Sequence, residues 1–555
     1  MDNLECKISE LGEDVESSVL GAQFEKRMKI LAVKLDSNIK DTRAWVSEAS
    51  ELEFIEKFAP CDDITAIIPS QIIHEYACLP IIQEDESIAI VFAWPPNEMM
   101  KRWLKAACPG DYKYFLGDAE EIRRIINAKF GLGADNFLEG DEGGNLQAKP
   151  DAIEEDEDAV IIKFVNEVIR QALIDRATDI HFEPQKNALQ IRYRIDGALV
   201  PVKLPQNLIY YQAAVISRLK IMAKLNISEK RRPQDGRISF KSTEKSVDIR
   251  VSTLPMVYGE SISLRLLDLG DAPVAIEDMG LGEPELKKVI NAITRPHGIV
   301  LVTGPTGSGK STMLGACIRK IRSPEIRIIT VEDPVEYEIP GINQCQVQSD
   351  IGMTFASALR SILRQDPDVV MIGEIRDQET ADIAIRASIT GHLVLSTLHT
   401  NDSAGAISRL VDMNLEPFMI ASSLQLVIAQ RLVRKLCPHC AKPKQYDEND
   451  LSHCLKTLGI DPKDELQFNS KILEGKGCDK CKNGYRGRLA VFEVLVVNDR
   501  IHREIIKGSP SKLIRDLAIE HGMETLSKCA WEQVKKGRTT LAEIMQFSDE
   551  NNMDG

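Results

Sequence analysis

The apolar and polar residues follow different periods in different parts of the chain. Up to about residue 60 the sequence is polar and mixed, with helical stretches such as 21–35, whereas short apolar runs separated by turns predict a small α/β domain at about 64–137. From Ala159 the apolar residues fall on one helical face, and alternating runs after them predict an antiparallel sheet within 159–270. The strands predicted for this sheet are 179–183, 189–195, 237–240, 247–251 and 262–267.

The second half of the chain carries short, continuously apolar runs that alternate with helical patterns. Such runs are typical of buried parallel strands, so we expect a doubly wound α/β core over 286–430. The region 431–490 holds two pairs of cysteines, and 491–555 is predicted to be mostly helical. The core strands are predicted at 299–302, 326–331, 368–372 and 393–396.

Two segments are predicted to connect these regions. Residues 138–158 contain three glycines and, over 151–158, six acidic residues. Such a composition stays solvated, so we expect an acidic linker there, with a binding role as the alternative. Residues 271–285 carry Gly, Pro and acidic residues and are expected to form a hinge.

Length and charge narrow the classes of function. A chain of 555 residues suggests about three or four domains, and an apolar fraction of 43% is ample for their cores. The net charge of −15 argues against nucleic acid as a partner, because nucleic-acid binders usually present a basic surface. No apolar run reaches the length of a membrane span, and the acidic N-terminus lacks the apolar segment of a secretory signal. We therefore expect a cytoplasmic protein.

The sequence GPTGSGKST follows the apolar run 299–302 and precedes a helical pattern, which is the arrangement of a phosphate-binding P-loop. Its glycines allow backbone N–H groups to face phosphate oxygens. Lys310 is expected to reach the β- and γ-phosphates of ATP, and the Ser311 hydroxyl to bind Mg²⁺. The alternative is a chance match in a glycine-rich turn. The residues expected to bind nucleotide are Gly304, Pro305, Thr306, Gly307, Ser308, Gly309, Lys310, Ser311 and Thr312.

Polar residues at the ends of three core strands are candidates for catalysis. Glu374 follows the strand 368–372, where it is placed to hold Mg²⁺ or the attacking water; Gly373 stands where an aspartate is usual. Glu332 follows another core strand among further carboxylates, and His392 and His399 flank a third. The alternatives are an ordinary strand end, a solvated acidic turn and structural histidines.

Four of the twelve cysteines form two C-x₂-C pairs: Cys437 with Cys440, and Cys478 with Cys481. Four thiolates suit tetrahedral Zn²⁺, so we expect a structural zinc knuckle. The separation of the pairs exceeds the usual zinc spacing, which predicts a folded excursion between them. A redox pair or free thiols are the alternatives.

These motifs, in this order, resemble those of the secretion ATPase superfamily, and most closely the GspE/PilB group that powers type II secretion and type IV pilus assembly. The resemblance covers about 159–540. The segments that carry it, besides the P-loop and the cysteine pairs, are RATDIHFEP at 176–184, RYRIDG at 192–197, RPQDGR at 232–237, RVSTLP at 250–255, TVEDPVEY at 330–337, IGEIRD at 372–377 and TGHLVLSTLHTN at 390–401.

The resemblance implies a RecA-like ATPase core preceded by a PAS-like α/β domain, a small N-terminal α/β domain and a tetracysteine zinc knuckle. It implies that Lys310 and Ser311 bind phosphate and Mg²⁺. It also implies that Glu332 and Glu374 serve the metal and activate water, with the choice of base left open, and that His399 senses the γ-phosphate.

The resemblance further implies a homohexameric ring whose rotation on hydrolysis moves an inner-membrane platform protein, so that the ATPase works peripherally at the inner face of that membrane. The region 64–137 is similar to a domain that docks on an inner-membrane protein. Four arginines are implied to neutralise the charge of the transition state, some of them across a subunit boundary. These arginines are Arg237, Arg250, Arg360 and Arg364.

Two other classes of function stay open at this point. A nucleic-acid motor on a similar core is disfavoured by the acidic charge and by the 5% of aromatic residues, which are few for stacking bases. A scaffold that binds ATP without turnover is opposed by the complete set of charged residues at the predicted site. The motifs do not distinguish secretion from pilus assembly.

Overall fold

A computed structural model describes residues 3–22, 24–61, 63–65, 67–83, 87–107, 112–132, 154–241, 246–267, 274–478 and 480–547. The chain forms two compact units, Met1–Asp268 and Leu269–Gly555, and each is described by itself. Most of the segment 138–158 lies outside the described residues. Among the described residues, no helix combines the length and the apolar character needed to cross a bilayer.

The first unit begins with four helices that share a small apolar core. Ile8, Val19, Leu31 and Val46 are fully buried there, and Trp94 from the following region packs against them. The Asn38 side chain caps the fourth helix by accepting from the N–H groups of residues 40 and 41. The four helices are α1 (Asn3–Ser9), α2 (Glu13–Leu20), α3 (Phe24–Lys34) and α4 (Ile39–Ser50).

A four-stranded sheet follows, with the strand order β1-β2-β3-β4. The central strands β2 and β3 are antiparallel and almost wholly buried, whereas β3 and β4 run parallel. The sequence pattern predicted this small α/β region. Its elements are β1 (Ala59–Pro60), α5 (Ser70–Tyr76), β2 (Cys78–Ile82), β3 (Ile88–Phe92), α6 (Glu98–Ala107), β4 (Lys113–Leu116) and α7 (Ala119–Phe130).

The long helix α8 (Glu154–Ile174) begins inside the acidic run, five residues before the predicted start at Ala159. The expectation of a linker through residue 158 was therefore wrong for 154–158. Acidic residues are favourable in the first turn of a helix, because the helix dipole places partial positive charge there. The rest of the expected linker that precedes Glu154 lies outside the described residues.

A six-stranded antiparallel sheet packs against α8 and α9, as the alternating pattern predicted. Its order is β7-β6-β5-β10-β9-β8, and one face carries the buried apolar residues. Lys220 and Glu260 form a buried ion pair of 2.8 Å in this domain. The elements are β5 (Ala177–Pro184), β6 (Leu189–Ile195), β7 (Ala198–Pro201), α9 (Gln212–Met222), β8 (Gln234–Lys241), β9 (Ser246–Met256) and β10 (Gly259–Leu267).

The second unit contains a seven-stranded sheet of order β13-β12-β14-β15-β11-β16-β19. All neighbours are parallel except β16 and β19. Apolar clusters lie on both faces, which explains the continuous apolar runs of the sequence. The elements up to β16 are α10 (Glu283–Ile293), β11 (Gly298–Thr303), α11 (Lys310–Ile321), β12 (Ile328–Glu332), β13 (Asn343–Gln346), α12 (Phe355–Ile362), β14 (Val369–Ile372), α13 (Gln378–Ile389), β15 (Leu393–Leu398), α14 (Ser403–Asp412), α15 (Pro417–Ser423) and β16 (Leu424–Leu436).

The core sheet does not end at residue 430. Strand β16 continues to Leu436, and β19 (Tyr485–Val496) pairs with it along almost its whole length. The predicted boundaries at 430 and 491 both fall inside these strands, because the sequence between them is an insertion in one β-hairpin. The remaining elements are β17 (Ala441–Pro443), α16 (Glu448–Thr457), β18 (Leu473–Gly475), α17 (Asp499–Ile506), α18 (Ser511–Glu520), α19 (Leu526–Lys535) and α20 (Leu541–Ile544).

Candidate functional site

The P-loop lies between the buried strand β11 and the first residue of α11, as its sequence context predicted. Gly304, Gly307 and Gly309 all have positive φ values, of 147°, 80° and 89°. A side chain at Gly304 is excluded for a second reason, because its Cβ would lie 2.4 Å from the backbone oxygen of Gln430. The loop thus turns its backbone N–H groups toward the start of a helix, where anions bind well.

Lys310 folds back over the loop from the first turn of α11. Its Nζ donates to the backbone oxygens of Gly304, at 2.8 Å, and of Pro305, at 3.0 Å. Burial lowers the pKa of Lys310, while the charge of Glu374 acts in the opposite direction. The ammonium group is thereby held beside the loop, with Ser311 exposed next to it.

Glu374 and His399 are brought together at the carboxyl ends of adjacent parallel strands, β14 and β15. His399 Nε2 lies 3.1 Å from Glu374 Oε2, and Arg376 forms an ion pair with the other carboxylate oxygen. Burial alone would raise the pKa of Glu374. The hydrogen bond and charge of Arg376, together with the hydrogen bond of His399, outweigh burial and lower that pKa. The carboxylate is therefore ionised at neutral pH.

Glu332 ends β12, the strand on the other side of β14. Its Oε1 accepts from Thr330 Oγ1 at 2.6 Å and from Gln344 Nε2 at 3.0 Å, so the side chain is fixed in place. The packing around Gly373 explains why a glycine, and not an aspartate, precedes Glu374. A Cβ at this position would lie 3.3 Å from Glu332 Cα and 3.3 Å from the Val331 oxygen.

His392 is separated from this site. It precedes β15 at the amino end of the strand, whereas His399 follows the carboxyl end. Its Nδ1 lies 2.9 Å from the backbone oxygen of Ala387 in α13. The alternative of a structural histidine therefore applies to His392, since the two ends of one strand lie on opposite sides of the sheet.

The four predicted arginines divide between the two units. Arg360, on α12, forms an ion pair with Glu379, and Arg364 Nη2 lies 3.3 Å from Ser361 Oγ. These contacts lie at α12 and α13, and neither of them involves a residue of the P-loop.

Arg237 and Arg250 lie in the first unit, opposite each other on β8 and β9. The same cross-strand row continues through Arg265 and Asp179 to Arg194, so four arginines share one face of the antiparallel sheet. Asp179 Oδ1 accepts from Arg265 Nε at 3.0 Å. The row concentrates positive charge on a sheet face that is polar and partly exposed.

Sequence reasoning missed several polar residues that lie beside the P-loop or contact the segment after His399. Thr303 Oγ1 lies 2.7 Å from Thr400 Oγ1, which ties the base of the P-loop to the segment after His399. On β16, Gln430 is buried beside the P-loop, and Arg431 Nη2 donates to Asn401 Oδ1 at 3.0 Å. The available signal was the polar pair Gln430-Arg431 within the otherwise apolar run 426–433.

The two cysteine pairs meet at the end of the β16–β19 hairpin. The four Sγ atoms lie within 4.8 Å of one another, and three of their separations are 3.8 Å, 3.7 Å and 3.6 Å. A tetrahedral zinc with Zn–S bonds of 2.3 Å requires separations of roughly 3.8 Å. The cluster of Cys437, Cys440, Cys478 and Cys481 therefore fits that metal.

Close backbone packing shapes the ends of this cluster. A Cβ on Gly475 would lie 2.5 Å from the Gly484 oxygen, and one on Gly484 would lie 2.6 Å from the Gly475 oxygen. The segment between the pairs contains α16, whose apolar residues share a buried cluster with Trp531. This segment is the predicted folded excursion.

Comparison with known proteins places these features in a family. Residues 154–546 match the sequence profile of the type II/IV secretion system protein family. The chain belongs to this family. Residues 50–134 match the MshEN domain, in the region of the small N-terminal sheet.

Relatives from type II secretion systems and from type IV pilus assembly both align with most of this chain. Type II secretion system protein E of Klebsiella pneumoniae is 44% identical over 435 residues, which cover 78% of this chain and 84% of the relative. The type IV pilus assembly ATPase PilB of Myxococcus xanthus is 40% identical and covers 87% of this chain and 86% of the relative. The chain is a P-loop ATPase of the GspE/PilB group, as its motifs predicted.

A solved structure agrees with the fold. The ATPase DotB of Yersinia pseudotuberculosis is 21% identical and has a TM-score of 0.51, with 70% of this chain and 94% of that chain covered. At this identity the likeness concerns the fold. The predicted fold class, a RecA-like core with preceding α/β domains and a cysteine knuckle, is confirmed.

Proposed function

We propose that this chain is a hexameric cytoplasmic ATPase that drives type II secretion or type IV pilus assembly through an inner-membrane platform protein. The observation that carries the proposal is the alignment with PilB of Myxococcus xanthus, which covers 87% of this chain and 86% of that relative. Both the ATPase region and the N-terminal domain thus have counterparts in a pilus assembly ATPase. The ring, the platform and the peripheral membrane position belong to the proposal.

In the proposed site, the P-loop and Lys310 hold the phosphates of ATP and Ser311 binds Mg²⁺. The support is the loop itself, with positive φ at three glycines and an ammonium group that is already beside the loop backbone. Binding of phosphate exchanges the two carbonyl partners of Lys310 for phosphate oxygens, which satisfies its charge better.

Glu374 and Glu332 are proposed to serve the metal and the attacking water. Because the pKa of Glu374 is lowered, its carboxylate is a weak proton acceptor that is suited to orienting water and Mg²⁺. Phosphoryl transfer through a loose transition state demands mainly such positioning. Glu332 is held rigidly by Thr330 and Gln344, so it is a second candidate for base or metal partner.

His399 is proposed to sense the γ-phosphate. It is exposed on the side of the site, and its Nε2 lies 3.1 Å from Glu374 Oε2. A phosphate oxygen near Glu374 would compete for the same imidazole nitrogen. The presence or loss of the γ-phosphate would then be reported through β15 and the segment of Thr400.

The arginines are proposed to complete the site in a ring. Arg237 and Arg250 lie on a polar sheet face of the first unit, which suits a face that meets phosphate charge from another subunit. Arg360 on α12 and Arg364, two residues after its end, are exposed and are proposed to act on the same charge.

The cysteine cluster is proposed to hold structural zinc. Three sulfur–sulfur separations match those of tetrahedral Zn²⁺, all four sulfur atoms lie within 4.8 Å of one another, and the cluster closes the hairpin of the core sheet. Zinc there would stabilise the end of β16, whose middle lies against the P-loop.

Steady-state ATP hydrolysis by the purified chain and its Lys310→Ala variant tests the proposal, with DNA, RNA or anionic phospholipid vesicles added in turn. We expect slow turnover that depends on Lys310, rises with lipid and ignores nucleic acid. Native mass spectrometry with a non-hydrolysable ATP analogue should show six subunits. Strong stimulation by nucleic acid, or a monomer at all nucleotide concentrations, would contradict it.

A further inference from the structure

Gln430 is a buried polar residue that the nucleotide site described above does not use. Only 1% of the residue is exposed, and its side-chain oxygen Oε1 is buried without a hydrogen-bond partner. A buried amide oxygen that lacks a donor costs free energy, so such a group calls for an explanation in a native fold. The position of Gln430 relative to the P-loop supplies one.

The sheet register places Gln430 beside both ends of the P-loop. Thr303, the last residue of β11, pairs with Ala429 of β16, so Gly304 and Gln430 are neighbours. A Cβ on Gly304 would lie 2.4 Å from the Gln430 backbone oxygen, and a Cβ on Gly309 would lie 2.7 Å from Gln430 Nε2. One residue of β16 thus contacts the loop where it begins and where it ends.

A second unpaired group lies in the same place. Ser308 Oγ is buried and has no hydrogen-bond partner, although Ser308 is only 3% exposed. It stands 2.7 Å from the point where a Cβ on Gly304 would be. An unpaired hydroxyl near Gly304 and an unpaired amide oxygen on the side chain beside Gly309 therefore lie along the same short loop.

We propose that Gln430 is a positioning residue for the P-loop: its backbone packs against Gly304, its side chain supports the loop at Gly309, and its amide oxygen accepts a hydrogen bond from Ser308 when phosphate binds. Lys310 now holds the loop through the oxygens of Gly304 and Pro305. When Lys310 turns to the phosphates, the loop loses those bonds, and Gln430 provides the replacement. Gln430 acts through the loop and does not touch the reacting atoms.

The chain contains a matched control on the same strand. Gln425 also has a buried Oε1 without a partner, and its Nε2 donates to the backbone oxygen of His297. It packs against Gly298 at the amino end of β11, whereas Gln430 packs at the carboxyl end. Gln425 is half-buried and lies at the end of β16 away from the P-loop, so its substitution controls for the loss of a glutamine amide from this strand.

The experiment measures the affinity of the full chain for Mg·ADP and the KM and kcat for ATP. Gln430→Met keeps the volume and removes the amide, and we expect ADP affinity to fall on the order of five- to tenfold, with KM rising by a similar factor and kcat changing less. Gln425→Met should bind ADP within about twofold of the parent chain. Equal losses in both variants would reduce Gln430 to a packing role and overturn the proposal.

Gln430→Glu provides a second readout, which also serves if Gln430→Met does not fold. At neutral pH its carboxylate places negative charge beside bound phosphate, so ADP affinity relative to the parent should fall further. As pH falls and the carboxyl becomes protonated, it again offers one donor and one acceptor, and the affinity ratio should recover. A ratio that does not change with pH, or parental affinity in both Gln430 variants, would overturn the proposal.

Discussion

Glu374 Oε2 and His399 Nε2 lie 3.1 Å apart although 25 residues separate them in the chain. The contact exists because β14 and β15 are parallel neighbours whose carboxyl ends meet at one edge of the sheet. Arg376 reinforces this contact, because it forms an ion pair with the second carboxylate oxygen of Glu374. This pair links the candidate carboxylate for water to the candidate sensor of phosphate.

Substitution of either partner is expected to reduce turnover while sparing binding. Glu374→Gln keeps the shape but removes the charge, and kcat should fall by about 10²–10⁴-fold. His399→Ala removes a donor to developing phosphate charge, and kcat should fall on the order of a hundredfold. Affinity for Mg·ADP should stay within a few-fold in both variants. A loss of ADP binding as large as the loss of kcat would show that the pair holds the site together instead.

The lowered pKa of Glu374 predicts how stability depends on pH. Its ordinary value is 4.5, and the native value is lower, so ionised Glu374 contributes stability that is present above pH 4.5 and is lost as pH falls through the native pKa. The thermal midpoints of the parent and Glu374→Gln should differ by a constant amount from pH 8 to about 5 and converge at lower pH. Divergence on acidification would give the opposite sign and refute the assignment.

Lys310 is expected to lower the stability of the nucleotide-free chain slightly. Burial lowers its pKa, so the charged form is disfavoured in the native state and stability rises only as pH climbs from the native value to the ordinary value of 10.5. At pH 7, Lys310→Met should therefore unfold at the same temperature as the parent or higher, while Mg·ADP no longer raises that temperature. Differential scanning calorimetry with and without nucleotide measures both. A large destabilisation without nucleotide would contradict this.

Substitution of Gly373 by aspartate, the residue that is usual at this strand end, is expected to reduce both stability and ATPase activity. A Cβ there meets backbone atoms of β12 at 3.3 Å, so Gly373→Asp must push Glu332 away from the site. We expect destabilisation of about 1–3 kcal/mol and loss of most ATPase activity. Gly391→Ala is a control glycine substitution, because a Cβ at Gly391 meets nothing within 4 Å, although its φ of 114° carries its own strain. Retained activity in Gly373→Asp would show that the strand end is freer than its packing indicates.

The cysteine cluster predicts a metal content that can be measured on the full chain. Cys437→Ser with Cys478→Ser should reduce bound zinc from about one per chain to near zero and lower the soluble yield, because four thiolates hold the metal. Cys454→Ser is the matched control, since Cys454 lies between the pairs but outside the cluster. Inductively coupled plasma mass spectrometry provides the count. Full metal content in the double variant would remove the zinc hypothesis.

That test needs the whole chain because of how the core sheet is built. A fragment that ends at residue 430 would cut β16 in the middle and remove β19, its antiparallel partner. It would also leave Gln430 at a free end beside the P-loop. Loss of nucleotide binding in such a fragment would say nothing about zinc.

The sequence by itself determined the features that depend on neighbouring residues. The P-loop after an apolar strand, the short runs of the parallel core, the alternating strands of 159–270 and the spacing within each cysteine pair are local patterns, and local patterns govern backbone conformation directly. The order of the motifs was enough to indicate the family and the class of enzyme.

Only the tertiary structure decided which distant residues meet. It placed His399 at the site and His392 at the opposite edge, packed Gly373 against Glu332, and set Gln430 beside Gly304. These contacts follow from strand order and register, in which a shift of one residue reverses the face of every side chain. A pattern along one segment carries no information about the register of its neighbour, so such contacts were beyond prediction from the sequence.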